Sequence, residues 1–203
     1  MTGLLVGLLL VSSAGCTGEA DKPAPTSAPT PAVSTGAAPT LSPRAAPMSV
    51  RVTRVAGRLP AKARASLERN VGRTLRSYVQ AAYVDGAGAG YAHAFDTFSK
   101  DAARRARHDR RFLTGAALGE EVAEGSAAVV PVRQKAWLSV LAPNRVAAGV
   151  TARVRLDLLV DGDREDQRVR VEGRLLLTRK QGGGWQIFGY DVSRHTTRGG
   201  SGG

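Results

Sequence analysis

Cysteine is nearly absent from the 203-residue chain: Cys16 stands alone, which excludes an intramolecular disulfide and requires another role for that thiol. The N-terminal apolar run, Leu4 to Val11, holds about eight residues against the roughly 20 a membrane-spanning helix needs. Acidic residues are scarce, 17 against 29 Lys and Arg, for a formal net charge of +12. No Ser/His/Asp set, cluster of metal ligands or phosphate-cradling loop is readable, so no catalytic residue, metal or cofactor is assigned. The glycines of DGAGAG at 85–90 miss the dinucleotide-binding spacing and follow no buried strand. They read as a linker between helices.

What is present is unevenly distributed. The first fifteen residues carry no charge, and residues 17–47 sum to zero with Glu19, Asp21, Lys22 and Arg44. The whole net charge therefore falls on residues 48–203, most of it from arginine. A genome rich in G and C favours Arg and Ala by default, which accounts for part of this bias. A domain this basic still favours anionic partners: phosphates, anionic lipids, acidic polymers or nucleic acid.

Residues 1–16 read MTGLLVGLLLVSSAGC. An apolar run of this length suits the core of a secretory signal peptide. The small residues Ser13, Ala14 and Gly15 lead into Cys16, and this stretch resembles the lipobox of bacterial lipoproteins. That resemblance implies cleavage between Gly15 and Cys16, diacylglyceryl modification of Cys16, and retention on the outer face of a bacterial cell membrane. The competing readings are an ordinary cleaved signal with an incidental cysteine, or a buried N-terminal segment. Residues 16–47 then form a lipidated tether, with seven of the ten prolines falling between 17 and 47 among Ala, Thr and Ser. Such a composition cannot bury enough apolar surface to order itself. At about 3.1 Å per residue in extended polyproline form it reaches up to ~90 Å.

The expected domain covers residues 48–195, with residues 196–203 as a disordered Gly-rich tail. Met48 to Arg58 reads as a short strand or extended lead-in. From Pro60 to about Val84 the chain is amphipathic at helical period: Leu67, Val71, Leu75, Tyr78, Val79 and Ala82 share one arc, while Arg58, Lys62, Arg69, Arg73 and Arg76 gather opposite. This basic stripe lacks the Trp or Phe of a helix lying in a membrane interface. Tyr91, Phe95 and Phe98 are spaced as one face of a second helix. Ser99 caps a third, DAARRARHDRRFL, ending at Gly115. Its arginines would suggest nucleic acid in a cytosolic protein; outside a membrane they suit an anionic polymer or headgroup instead.

From about Ser126 to Val192 the period changes to two. Val150, Ala152, Val154, Leu156, Leu158 and Val160 alternate with Thr151, Arg153, Arg155 and Asp157. Val169, Val171, Gly173, Leu175 and Leu177 alternate in the same way with Arg168, Arg170, Glu172 and Arg174. Such alternation marks strands with one buried and one wet face. Together with a strand carrying Arg133, Lys135 and Trp137 and a closing WQIFGYDV, it predicts a four-stranded antiparallel meander. The hairpin DGDREDQRVRVE places Asp161, Asp163, Glu165 and Glu172 at calcium-loop positions, but Asp166 replaces the required glycine and strands flank it. It reads as a turn.

The expected fold is thus α+β, with N-terminal helices packed on a curved sheet. This order, with Trp185, Ile187 and Tyr190 on the last strand, resembles the nuclear transport factor 2-like (SnoaL-like, cystatin-like) cone fold over about residues 58–192. That resemblance implies either a non-catalytic binding domain or a small-molecule isomerase or dehydratase. The enzyme reading would draw on Asp96, His93, Tyr91 and Asp191, which no spacing unites. The wet sheet face is the stronger candidate for interaction: Arg133, Lys135, Trp137, Arg153, Arg155, Arg168, Arg170 and Arg174, with Leu141, Leu159 and Leu176, against Asp157 and Glu172. Basic groups mixed with large apolar ones suit an envelope protein, a second copy of the chain, an anionic lipid or a wall polymer. The bland alternative is an ordinary wet face covered by arginine stems.

Overall fold

One sheet of five strands in the order β1-β2-β3-β4-β5 organises the molecule. The computed structural model describes residues 44–86, 90–121, 129–160 and 167–198. The signal segment, Gly15 and Cys16, the tether up to residue 43, the middle of the glycine linker, the DGDRED turn and the glycines from 199 onward lie outside the described residues.

The architecture is α+β with a mixed sheet. β2 (Val129–Ala142), β3 (Gly149–Val160), β4 (Gln167–Arg179) and β5 (Trp185–Arg198) form the antiparallel meander. The expected four strands become five because β1 (Ser49–Gly57), read from sequence as a short strand or lead-in, pairs parallel with β2. A parallel neighbour needs a long crossover, and the helices between β1 and β2 supply it. β5 also continues to Arg198, so Thr196 to Arg198 belong to the sheet rather than to a tail.

The helix α1 (Ala61–Val79) begins just after Pro60 and passes into a π-helical turn, Gln80–Val84. All six residues of its expected apolar arc are buried. At α1, Glu68 Oε1 accepts a 2.7 Å bond from the Val52 amide, beside an irregularity in the β1–β2 register between Val52 and Arg54. Ser99 caps α2 (Lys100–His108), its hydroxyl accepting from the Ala102 amide. Two short helices, α3 (Arg110–Leu113) and α4 (Ala116–Glu121), follow. The expected helix over Tyr91, Phe95 and Phe98 is instead a series of turns. Tyr91 holds φ +63°, which stops a right-handed helix at its start, and Phe98 bridges to Ile187 of β5. The sheet places Phe98, Phe95 packs edge-on against Phe98, and the Tyr91 amide is held by the Gly86 carbonyl.

The core lies between α1 to α4 and the inner sheet face, where Leu138, Leu156, Leu158, Leu175, Leu177 and Ile187 meet Val71, Leu75, Tyr83, Leu113 and Leu118. Gly173 is the point of closest strand approach. A Cβ there would stand 2.1 Å from the Asp191 carbonyl oxygen and 2.6 Å from Val192 Cα, so only glycine lets β4 and β5 pass. No helix among the described residues is long and apolar enough to cross a membrane.

Candidate functional site

The eight residues expected on the wet face do share it. The register sets seven of them in rows across the strands: Arg133, Asp157, Arg170 and His195; Lys135, Arg155, Glu172 and Ser193; Trp137, Arg153, Arg174 and Asp191; the eighth, Arg168, stands opposite Leu159. β1 extends the rows, placing Arg51 beside Trp137 and Arg54 beside Ser139. These two arginines were missed because the partner of β1 lies more than eighty residues away in sequence, where no local periodicity reports it. Each of these arginines and Lys135 is exposed except Arg155, which is half-buried, as is Trp137.

One carboxylate organises the charge. Asp157 accepts a 2.8 Å bond from Arg170 Nε, with Arg133 Nε at 3.6 Å and Arg155 Nε at 3.8 Å. Burial would push the Asp157 carboxyl up, but the Arg170 hydrogen bond and the charges of Arg170, Arg155 and Arg133 outweigh it and hold the group below its usual range. Arg174 pairs with Asp191 at 2.7 Å at the β4–β5 side. Arg51, Arg54, Lys135, Arg153 and Arg168 have no acidic partner among the described residues. Arg155 Nε is buried, and 3.8 Å from Asp157 is too long for a hydrogen bond.

Two open depressions mark this face. One, of about 490 Å³, is lined by Thr53, Trp137, Ser139, Arg153 and Arg155. The other, of about 870 Å³, includes Val132, Arg133, Asp157, Arg168 and His195. Large apolar groups interrupt the charge: Leu141 is 57% and Val132 40% exposed.

The residues considered for catalysis are split between two separate surface pairs, only the second of them on this face. His93 Nδ1 and Asp96 Oδ2 are 2.9 Å apart with both side chains mostly exposed. Asp191 belongs to the outward sheet face with Arg174. Burial raises the Tyr91 hydroxyl pKa, against a smaller opposing effect of Arg110. It joins neither pair.

The interior holds an aromatic cluster in which Tyr78 packs edge-on to Tyr83 and Phe98, and Phe98 contacts Tyr190. The Tyr78 hydroxyl donates to the Leu113 carbonyl at 2.6 Å, and Tyr190 donates to Asp109 at 2.7 Å. The buried Tyr83 hydroxyl makes no hydrogen bond of good geometry among the described residues. Burial pushes Tyr78 well above its usual pKa and Tyr83 up to about 12, the latter against smaller effects of Tyr78 and Arg194. Burial and then the Asp109 bond raise Tyr190 to about 12. All three stay neutral at ordinary pH.

Compared with known protein families, characterised proteins and solved structures, the chain matches none. Function must be argued from the surface itself.

Proposed function

We propose that the chain is a lipid-anchored bacterial lipoprotein whose domain binds an anionic component of the cell envelope through its outward sheet face, without catalysis. The observation that carries this reading is the charge imbalance around Asp157. A single partly buried carboxylate serves three guanidiniums, while Arg51, Arg54, Lys135, Arg153 and Arg168 are left without acidic partners among the described residues. Such a field attracts anions and steers them, and its effect is screened by salt. The lipobox resemblance at Cys16 supplies the anchor. Two acyl chains, at about 0.8 kcal/mol per buried methylene, hold a protein on a membrane stably where one does not. The finer fold reading, a cone of the nuclear transport factor 2-like type, is supported by the order of helices and meander and by the aromatic last strand.

The test is binding of the full chain carrying Cys16→Ser to soluble polyphosphate, which offers no bilayer to an anchor or signal segment. Binding should weaken about tenfold in Arg153→Gln/Arg168→Gln and collapse at high salt. Binding indifferent to both treatments would remove the proposal.

A second occupant of the same face, another copy of this chain, is favoured by exposed Leu141 and Val132 beside half-buried Trp137. Sedimentation equilibrium separates the two readings. A dimer that Leu141→Arg dissolves assigns the face to self-association.

A further inference from the structure

A second basic site lies away from the sheet face. The flank of α1 that carries Asn70 and Arg73 borders a cleft of about 400 Å³, closed on its other side by the β2–β3 and β4–β5 turns. Arg145 enters from the first turn, and Arg179 with Trp185 from the paired ends of β4 and β5 beside the second. None of these residues lines the depressions of the outward face. No carboxylate lines the cleft.

The charges here are uncompensated. Arg73 and Arg145 have no acidic partner among the described residues. Arg179 commits only Nε, to the Ala147 carbonyl at 3.2 Å, and holds its guanidinium 5.5 Å from the centre of the Trp185 ring. That stacking orients the fork and leaves its terminal nitrogens available. Trp185 is buried and supplies an apolar wall, while Val146, 55% exposed, forms an apolar rim.

The turn that presents Arg145 is built at a cost. Asn144 and Arg145 hold φ +51° and +63°. Asn tolerates the left-handed region, but an arginine there is disfavoured where glycine would be free. Three guanidiniums around an apolar wall, in a volume typical of small-ligand sites, match one ligand chemistry. We propose that this cleft binds a small organic oxyanion whose apolar body lies against Trp185 and Val146 while Arg73, Arg145 and Arg179 surround its carboxylate, sulfonate or phosphate. The proposal does not depend on what the outward sheet face binds.

The test uses the full chain carrying Trp137→Phe, so that Trp185 is the one remaining tryptophan of two. Its emission is followed on titration with anilinonaphthalene sulfonate, with the uncharged N-phenylnaphthylamine, and with inorganic phosphate. The sulfonate should saturate the signal at least about tenfold more tightly than either half-ligand, and Arg73→Gln or Arg145→Gln should each weaken it about tenfold. Arg145→Gly keeps the turn favourable and should lose the same affinity, so a binding loss is not mistaken for a folding defect. Arg153→Gln, on the outward face, should change nothing. Equal binding of the charged and uncharged probes, or full affinity in Arg145→Gly, would overturn the proposal. Phosphatidylglycerol vesicles separate the sources of the anion. Displacement of the probe identifies a lipid headgroup and its absence a soluble molecule, and either result keeps the site.

Discussion

Asp157 and Arg170 stand directly opposite each other on β3 and β4, and Arg170 Nε donates to Asp157 Oδ1 across 2.8 Å. Because Arg133 and Arg155 also lean on this carboxylate, its removal exposes mutual repulsion among three guanidiniums. Asp157→Asn should cost about 1–2 kcal/mol in urea unfolding at neutral pH. The folded carboxyl titrates below its unfolded value of about 4. Its contribution is therefore fully present above that value and is lost as pH falls from there through the lower folded value. The difference between the wild type and Asp157→Asn should shrink correspondingly in acid. A constant difference down to low pH would contradict the ion pair. The same substitution should tighten binding of anions to the face.

Gly173→Ala tests the strand crossing. The added carbon would have to displace backbone atoms of Asp191 and Val192 rather than a mobile side chain. A loss of roughly 2–4 kcal/mol is expected, read as a lower denaturation midpoint. Gly182→Ala, with open space around its Cβ but a φ of +84°, should cost only about 1 kcal/mol.

The tyrosine cluster predicts asymmetric responses to loss of a hydroxyl. Tyr83→Phe removes an unpaired buried hydroxyl and should be neutral or stabilise by up to about 1 kcal/mol. Tyr78→Phe deprives the Leu113 carbonyl of its 2.6 Å donor and should cost about 1–3 kcal/mol. With Tyr83 and Tyr190 raised to about 12, the native state keeps protons that the unfolded chain releases from about pH 10. Stability should hold below that pH and fall as pH rises toward 12, less steeply in Tyr83→Phe. Circular dichroism across an alkaline series decides it.

The anchor is checked by Cys16→Ser. The substituted protein should appear in the medium or remain unprocessed. Membrane retention unchanged from the wild type would refute lipidation at this position.

Much of the fold could be read in advance because burial on one side imposes a period. β3 and β4 alternate residue by residue, and the apolar arc of α1 is buried as its spacing requires. The Ser99 cap was legible for a similar local reason. Long-range pairing was not. Val50, Val52 and Val55 were legible as a short strand or lead-in, but gave no sign that Ser49–Gly57 would lie parallel to β2, so its place in the sheet, and with it the role of Arg51 and Arg54, went unseen. Tyr91, Phe95 and Phe98 had helical spacing, yet the left-handed Tyr91 and the bridge from Phe98 to Ile187 broke the expected helix. The cleft was the least legible feature. Arg73, Arg145 and Arg179 come from a helix, a turn and the end of a strand, and only the folded sheet brings them together.

The entry of the chain into β1 has a mechanical consequence. Ala46 donates its amide to the Pro131 carbonyl at 2.8 Å and accepts from Gln134 Nε2 at 2.6 Å, just before the pairing that runs from Ser49 with Lys135 to Gly57 with Ala142. Tension on the preceding segment meets those two bonds first. A force along the strand then loads the β1–β2 bonds together in shear, whereas a force away from the sheet opens them in succession. The domain should therefore resist pulling along β1 better than pulling away from the sheet, with Ala46 at the point where the load enters.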